Sequence, residues 1–210
     1  HSFRIPRPDQ SVKYGTPNAC INCHKEKSNE WASDLIIGNY GKIRKDHFSD
    51  YLLPGAKGDK HALNHLILNK KYPAIARATA LNYYAYSELS EADILQITSF
   101  LNDSSALIRN EAVNALRPFA NTSYVSEYLK PLKLDPIRMI RISVAKALND
   151  QSIEYLDELD MNSDFAAGQY YIGINHEING RNNLAKNAYE KSLTIDNYFN
   201  NSRMNLALLV

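Results

Sequence analysis

The 210-residue chain contains two cysteines, and both fall in one five-residue stretch, Cys20-Ile-Asn-Cys23-His24. Two thiols separated by two residues and followed at once by an imidazole admit three chemistries. The first is covalent attachment of c-type haem, in which the thiols add to the two vinyl groups and His24 ligates the iron on its proximal side. The second is a zinc site, which needs a fourth ligand and normally a second paired half-site, yet the chain has no further Cys. The third is a thioredoxin-like redox pair, which sits between a strand and a helix, and no such pattern surrounds these residues. A disulfide framework is out of reach for two cysteines this close in a chain this long. The haem reading uses all five positions and is the one the pattern favours. Such haems are attached outside the energy-conserving membrane, so the reading also implies a periplasmic or otherwise extracytoplasmic location.

A helix must carry the two sulfurs. Thr16-Pro17 reads as an N-cap followed by the first helical residue. Around this segment, Arg4, Arg7 and Lys13 could pair with haem propionates through charge-assisted hydrogen bonds. Residues 1–59 offer few bulky apolar side chains to wrap a macrocycle, among them Phe3, Ile5, Ile21, Trp31, Leu35 and Ile36. A haem left partly bare would pack against another haem, the helical region downstream or a partner protein. Residues 41–59, with Gly41, Pro54, Gly55 and Gly58, read as a connecting loop whose Phe48, Tyr51, Leu52 and Leu53 anchor it. His47 in that loop is the reserve candidate for a distal ligand. His61 and His65 share one face of a predicted helix beside Lys60 and Lys70, most simply a solvated face. His176 reads as structural. Met139, Met161 and Met204 could supply thioethers, but they occupy apolar repeat positions and read as core.

Past residue 60 the chain repeats itself. Tyr72-Pro-Ala-Ile-Ala-Arg77-Ala-Thr-Ala80-Leu81 slides onto Ser104-Ser-Ala-Leu-Ile-Arg109-Asn-Glu-Ala112-Val113 and then onto Pro136-Ile-Arg-Met-Ile-Arg141-Ile-Ser-Val144-Ala145, with the arginines 32 apart in both steps. Each block ends a first helix at Tyr84, Leu116 or Leu148, and a second follows over 90–101, 123–131 or 152–160. Asp103-Ser104 and Asp135-Pro136 supply N-cap chemistry. Recurring helical hairpins are the mark of an α-solenoid, and Arg-x-x-Ala behind a Pro or small polar residue resembles HEAT-type repeats. The arginines then serve as scaffold, bonding between repeats. From Gln169-Tyr-Tyr-Ile172-Gly173 through Gly180, Ala185, Tyr189 and Ser192 the spacing matches a tetratricopeptide helix pair, with a next unit opening near Phe199. No useful strand-period alternation occurs, so the expected class is all-α: a haem segment and linker over 1–59, HEAT-like repeats over 60–162 and a truncated tetratricopeptide-like repeat over 163–210.

The opening His1-Ser-Phe-Arg-Ile-Pro-Arg-Pro-Asp9, followed by Gly15-Thr-Pro-Asn-Ala-Cys20, resembles the last haem-binding stretch of a family of bacterial multihaem c-type cytochromes whose haem domains lead into HEAT and tetratricopeptide repeats. The resemblance is tight over residues 1–32 and of repeat class only beyond about 60. It implies bis-histidine haems stacked for electron transfer, export to the periplasm or cell surface, and His1 as an axial ligand. It departs from the family in having one attachment motif, so "multihaem" belongs to the parent protein.

Composition narrows the function further. Hydrophobic residues make up 44% and charged residues 22%, an ordinary globular balance, and the net charge of +1 lacks the footprint of a general nucleic-acid binder. No apolar run is long enough to span a membrane. The chain opens on His1 without a signal-peptide layout and closes inside a helical pattern, so both ends read as cut. The expectation is an electron carrier rather than a catalyst, with redox proteins or neighbouring haems of the parent chain as partners. The alternatives are an interaction scaffold with the haem motif peripheral or empty and, last, a haem-based oxyanion reductase, for which no acid–base pair or substrate pocket is legible.

Overall fold

A computed structural model describes residues 5–43, 45–150 and 152–209. Among these residues the chain forms fourteen α-helices, three short 3₁₀ segments and no strand, so the all-α expectation holds at the level of class. No described helix is long and apolar enough to cross a membrane. Residues group into two compact units, 1–87 and 88–210.

In the first unit, Pro8 opens α1 (Pro8–Tyr14), where its fixed φ suits the first turn and its missing N–H costs nothing. Gly15, at φ 73°, ends the helix in the left-handed conformation, its N–H bonding Ser11 O at 2.9 Å. Two helices follow, α2 (Ala19–Cys23) and α3 (Asn29–Tyr40), both in contact with their predecessors or each other: α1 packs on α3, and α2 touches α3. Residues 41–59 are not wholly a loop. They contain α4 (Ser49–Gly55), which packs on α5 (Lys60–Leu68) and α6 (Ala74–Ala85). The breaker residues are accommodated because Pro54 and Gly55 sit in the last turn. A Cβ on Gly55 would fall on the Leu63 side chain, so the missing side chain is what lets α4 lie close to α5. Leu63, Leu66, Ile67, Leu81 and Tyr84 form the buried centre beneath them.

The second unit opens with α7 (Glu91–Ser99), whose capping box pairs Ser90 and Asp93 reciprocally. Next come α8 (Ala106–Leu116), α9 (Ser123–Leu129), α10 (Arg138–Ala147), α11 (Ile153–Asp160), α12 (Ala166–Ile178), α13 (Asn182–Ile195) and α14 (Asn200–Leu208). Neighbours pack in sequence order from α10 to α14, and α8 packs on α10. Fully buried Ile108, Val113, Leu116, Val125, Leu129, Ile140 and Val144 fill the space between α8, α9 and α10. A Cβ on Gly173 would enter the ring of the fully buried Tyr189, and this close approach seats α12 on α13. Gly180, at φ 69°, makes the turn between them.

The 32-residue period has a bonding counterpart in this unit. Arg109 donates from NH1 to Asp103 O at 2.9 Å, and Arg141 donates from NH1 to Asp135 O at 2.7 Å. Arg109 also clasps the Asp135 carboxylate through Nε at 2.8 Å and NH2 at 3.1 Å, joining one repeat to the next. Arg141 reaches forward to Glu158 at 2.6 Å. In the first unit Arg77 departs from this pattern: it is buried and donates from Nε to Ile67 O at 2.8 Å. The aspartates are not helix caps as expected. Asp103 accepts from Ser105 N and Asp135 from Ile137 N, both at 2.8 Å, forming turns one residue ahead of the helices, whose N-cap positions fall to Ser105 and Ile137. Met139, Met161 and Met204 are not core either. They are 44%, 66% and 65% exposed: Met139 and Met204 lie on α10 and α14, and Met161 in the turn after α11.

Candidate functional site

The two cysteines and His24 lie on and just beyond a five-residue helix that the sequence builds by a different cap from the one expected. Asn18, not Thr16, is the N-cap of α2: its side-chain oxygen accepts from Cys20 N at 3.0 Å. Thr16 instead hydrogen-bonds Ser11 through the two hydroxyls at 3.3 Å. The Asn18 amide nitrogen then donates to Asn29 Oδ1 at 3.0 Å, so one side chain starts α2 and ties it to the first residue of α3. The His24 N–H bonds Cys20 O at 2.9 Å and closes the helix. Ser28 caps α3, accepting from Trp31 N at 3.2 Å.

These caps bring the cysteine turn against one side of α3. A groove of about 330 Å³ results, lined on α2 by Ala19, Cys20 and Cys23 with His24, and on α3 by Trp31, Ala32, Leu35 and Ile36. The α3 residues recur at i, i+1, i+4 and i+5, a helical stripe that elsewhere in a globular chain would be covered by another element. Here it stays open. Cys23 and His24 are exposed, Cys20 is half-buried, and neither thiol is in a disulfide. The Trp31 ring stands 5.1 Å from the His24 ring at a 58° tilt, and Lys27 Nζ lies 5.9 Å from the Trp31 ring. Apart from His24 the groove wall carries no basic or acidic side chain, which suits a large apolar group better than a charged one.

Among the described residues no group of three or more His, Cys, Asp or Glu side chains is placed to hold a metal ion. A thioredoxin-like pair would flank a strand, and none is present among the described residues.

Other residues singled out by sequence fall elsewhere. His1 and Arg4 lie outside the described residues. Arg7 is committed to two carboxylates, to Asp9 through Nε at 3.0 Å and NH2 at 2.8 Å, and to Asp50 through NH2 at 2.8 Å. Hydrogen bonding to Asp9 first, and then to Asp50, holds its guanidinium well above the usual arginine range. With Gln10, which donates to Ser49 at 2.8 Å and Asp50 at 2.9 Å, Arg7 fastens α1 to α4. His47 is part of that same junction: its Nδ1 lies 2.7 Å from Ser49 Oγ and its ring packs 4.0 Å from that of Phe48. Neither Arg7 nor His47 lines the cysteine groove. His61 and His65 are exposed on α5, and His65 stacks on Tyr51 at 4.3 Å. His176 is half-buried, and burial, followed by the nearby Arg181, holds its imidazole below the ordinary range. The Asn18–Asn29 tie was not anticipated, although an Asn two residues ahead of Cys20 is a cap signal in its own right.

No family model, curated protein or solved structure matches this chain.

Proposed function

We propose that the cysteine groove is a c-type haem site and that the chain is part of an electron-transfer cytochrome. The observation that carries this reading is the meeting of Cys20, Cys23 and His24 with the open apolar stripe of Trp31, Leu35 and Ile36. In this reading Cys20 and Cys23 hold the haem by thioether bonds and His24 ligates its iron. When bound, the group supplies one-electron chemistry between ferric and ferrous iron. The protein's part is to fix position and surroundings. Asn18 orients the helix that carries the sulfurs, Trp31 limits the swing of the His24 ring, and Leu35 and Ile36 exclude water from one side. The opposite side of the groove stays uncovered, the arrangement expected where a neighbouring haem of the parent protein or a redox partner approaches. A periplasmic or other extracytoplasmic location follows from the attachment chemistry.

The test is production of the chain with haem-c maturation, followed by intact mass and visible spectroscopy. The expected result is a mass increase of one haem and a sharp reduced α-band, both lost in C20A/C23A. A colourless protein from a maturation-competent host would overturn the reading.

A second reading rests on the second unit. The shared Arg109 and Arg141 bonding and the sequential packing from α10 to α14 support a solenoid of HEAT-like hairpins running into a tetratricopeptide-like pair. Such an array presents long faces to protein partners. The scaffold role supplements electron transfer, and a pull-down in which haem-loaded and haem-free chain capture the same partner would place recognition on the repeats.

A further inference from the structure

Most cations on α10 and its surroundings find a carboxylate. Arg109 holds Asp135, Lys133 lies 2.6 Å from Asp150, and Arg141 lies 2.6 Å from Glu158. Two do not. Lys146, half-buried near the end of α10, and Arg117, in the 3₁₀ turn after α8, have no ion pair or hydrogen bond to a carboxylate among the described residues. They face one hollow of about 240 Å³, whose other walls include Tyr155 of α11 and Tyr171, Ile174 and Ile178 of α12.

The arrangement is costly as it stands. A half-buried ammonium loses hydration, and a second like charge nearby raises the cost. The ring of Tyr171, 3.2 Å from Lys146 Nζ, offsets part of it. Consistent with this, burial first and Arg117 second bring the Lys146 ammonium down to about 8. An anion entering the hollow would offset the half-buried Lys146 charge and meet the exposed Arg117 guanidinium beside it. Asp150 also lines the rim, but its carboxylate is engaged by Lys133 and by Ser152 N at 3.0 Å. Asn149 and Asn175 also line it, the Asn175 side-chain oxygen accepting from Arg181 at 3.2 Å. The remaining wall of Ala145, Tyr155, Tyr171, Ile174 and Ile178 is apolar or aromatic, so an anion alone would leave much of it unused. The volume lies below the roughly 300–1,000 Å³ typical of drug-sized sites, which limits the ligand to a small one.

We infer that the hollow between α10, α11 and α12 is a binding site for a small organic carboxylate, with its anionic head between Lys146 and Arg117 and its apolar body against Tyr171, Ile174 and Ile178. The site lies wholly within the second unit and does not depend on haem. The test is titration of the full chain, isotopically labelled, with sodium benzoate, benzyl alcohol and inorganic phosphate as separate probes, read by amide and side-chain NMR shifts. Benzoate is expected to shift Lys146, Tyr155 and Tyr171 saturably, and its affinity to fall tenfold or more in K146M and several-fold in R117Q. Arg117 is exposed, so R117Q keeps the test intact should K146M fail to fold. Benzyl alcohol or phosphate binding as tightly as benzoate, benzoate affinity unchanged in R117Q, or no saturable shift with benzoate would each overturn the assignment.

Discussion

The apolar side of α3 and the apolar sides of α8 and α10 are built from the same residue types and end up in opposite situations. In the second unit Ile108, Val113, Ile140 and Val144 are fully buried between adjacent helices. In the first, Trp31, Leu35 and Ile36 line a groove beside a five-residue turn carrying two thiols and an imidazole, and Leu35 is 51% exposed. The helices of the second unit cover one another's apolar sides, whereas α3 leaves part of its apolar side, Leu35, exposed. Chemistry and stability are therefore expected to separate along the chain, and substitutions can test that separation.

The largest effect on folding is expected at Asp135. Removing its side chain in D135A leaves Arg109, whose side chain is 14% exposed, without its carboxylate, and also removes the bond to Ile137 N. A loss of about 3 kcal/mol is expected from chemical denaturation followed by circular dichroism. If the chain carries haem as proposed, its visible spectrum should not change in this variant. Asp135 also sets a pH dependence. Burial acts to raise its carboxyl, but hydrogen bonds from Arg109 and Ile137 N prevail and hold it below the ordinary carboxylate range. A depressed folded value means that the stabilisation is present above the unfolded value near 4 and is lost as pH falls through the folded one. D135N should flatten the stability profile across that acid window, and a profile that keeps its slope would assign acid sensitivity to other carboxylates.

Gly173→Ala comes next. A methyl group there meets the Tyr189 ring inside a packed interface, and a loss of about 2 kcal/mol is expected by the same measurement. The smallest effect, about 1 kcal/mol, is expected for Asn18→Ala, which removes the cap of α2. Its signature is local: faster hydrogen exchange at Cys20, with the amides of α8 and α10 unaffected. Slowed exchange in N18A, or loss of protection throughout the second unit, would break the contrast between the two regions.

Much of this architecture is legible in the sequence because period and punctuation agree. The first helices of the three blocks end at Ala85, Leu116 and Ala147, within one residue of the positions read from the pattern, since each stops where the small and branched residues run out. The motif and its apolar neighbours Trp31, Leu35 and Ile36 are legible too. What is not legible depends on distant partners. Thr16-Pro17 and Asn18 both satisfy local capping rules, and Asn29, eleven residues downstream, favours the second. Pro54 and Gly55 read as breakers because the side chain of Leu63, which needs the space at Gly55, lies on another helix. The methionines fit the apolar rows, but periodicity does not reveal which row faces a neighbour. Arg7 reads as available to a propionate because one of the two carboxylates it holds, Asp50, is 43 residues away.

Asp135 ties α8 to α10, its carboxylate gripping Arg109 of α8 while its carbonyl receives Arg141 of α10. One residue thus serves as a rivet through two plates. Local opening that separates α8 from α10 must break both attachments together, so this stretch should open as a single block rather than fray, and whatever rests against it would find a rigid edge.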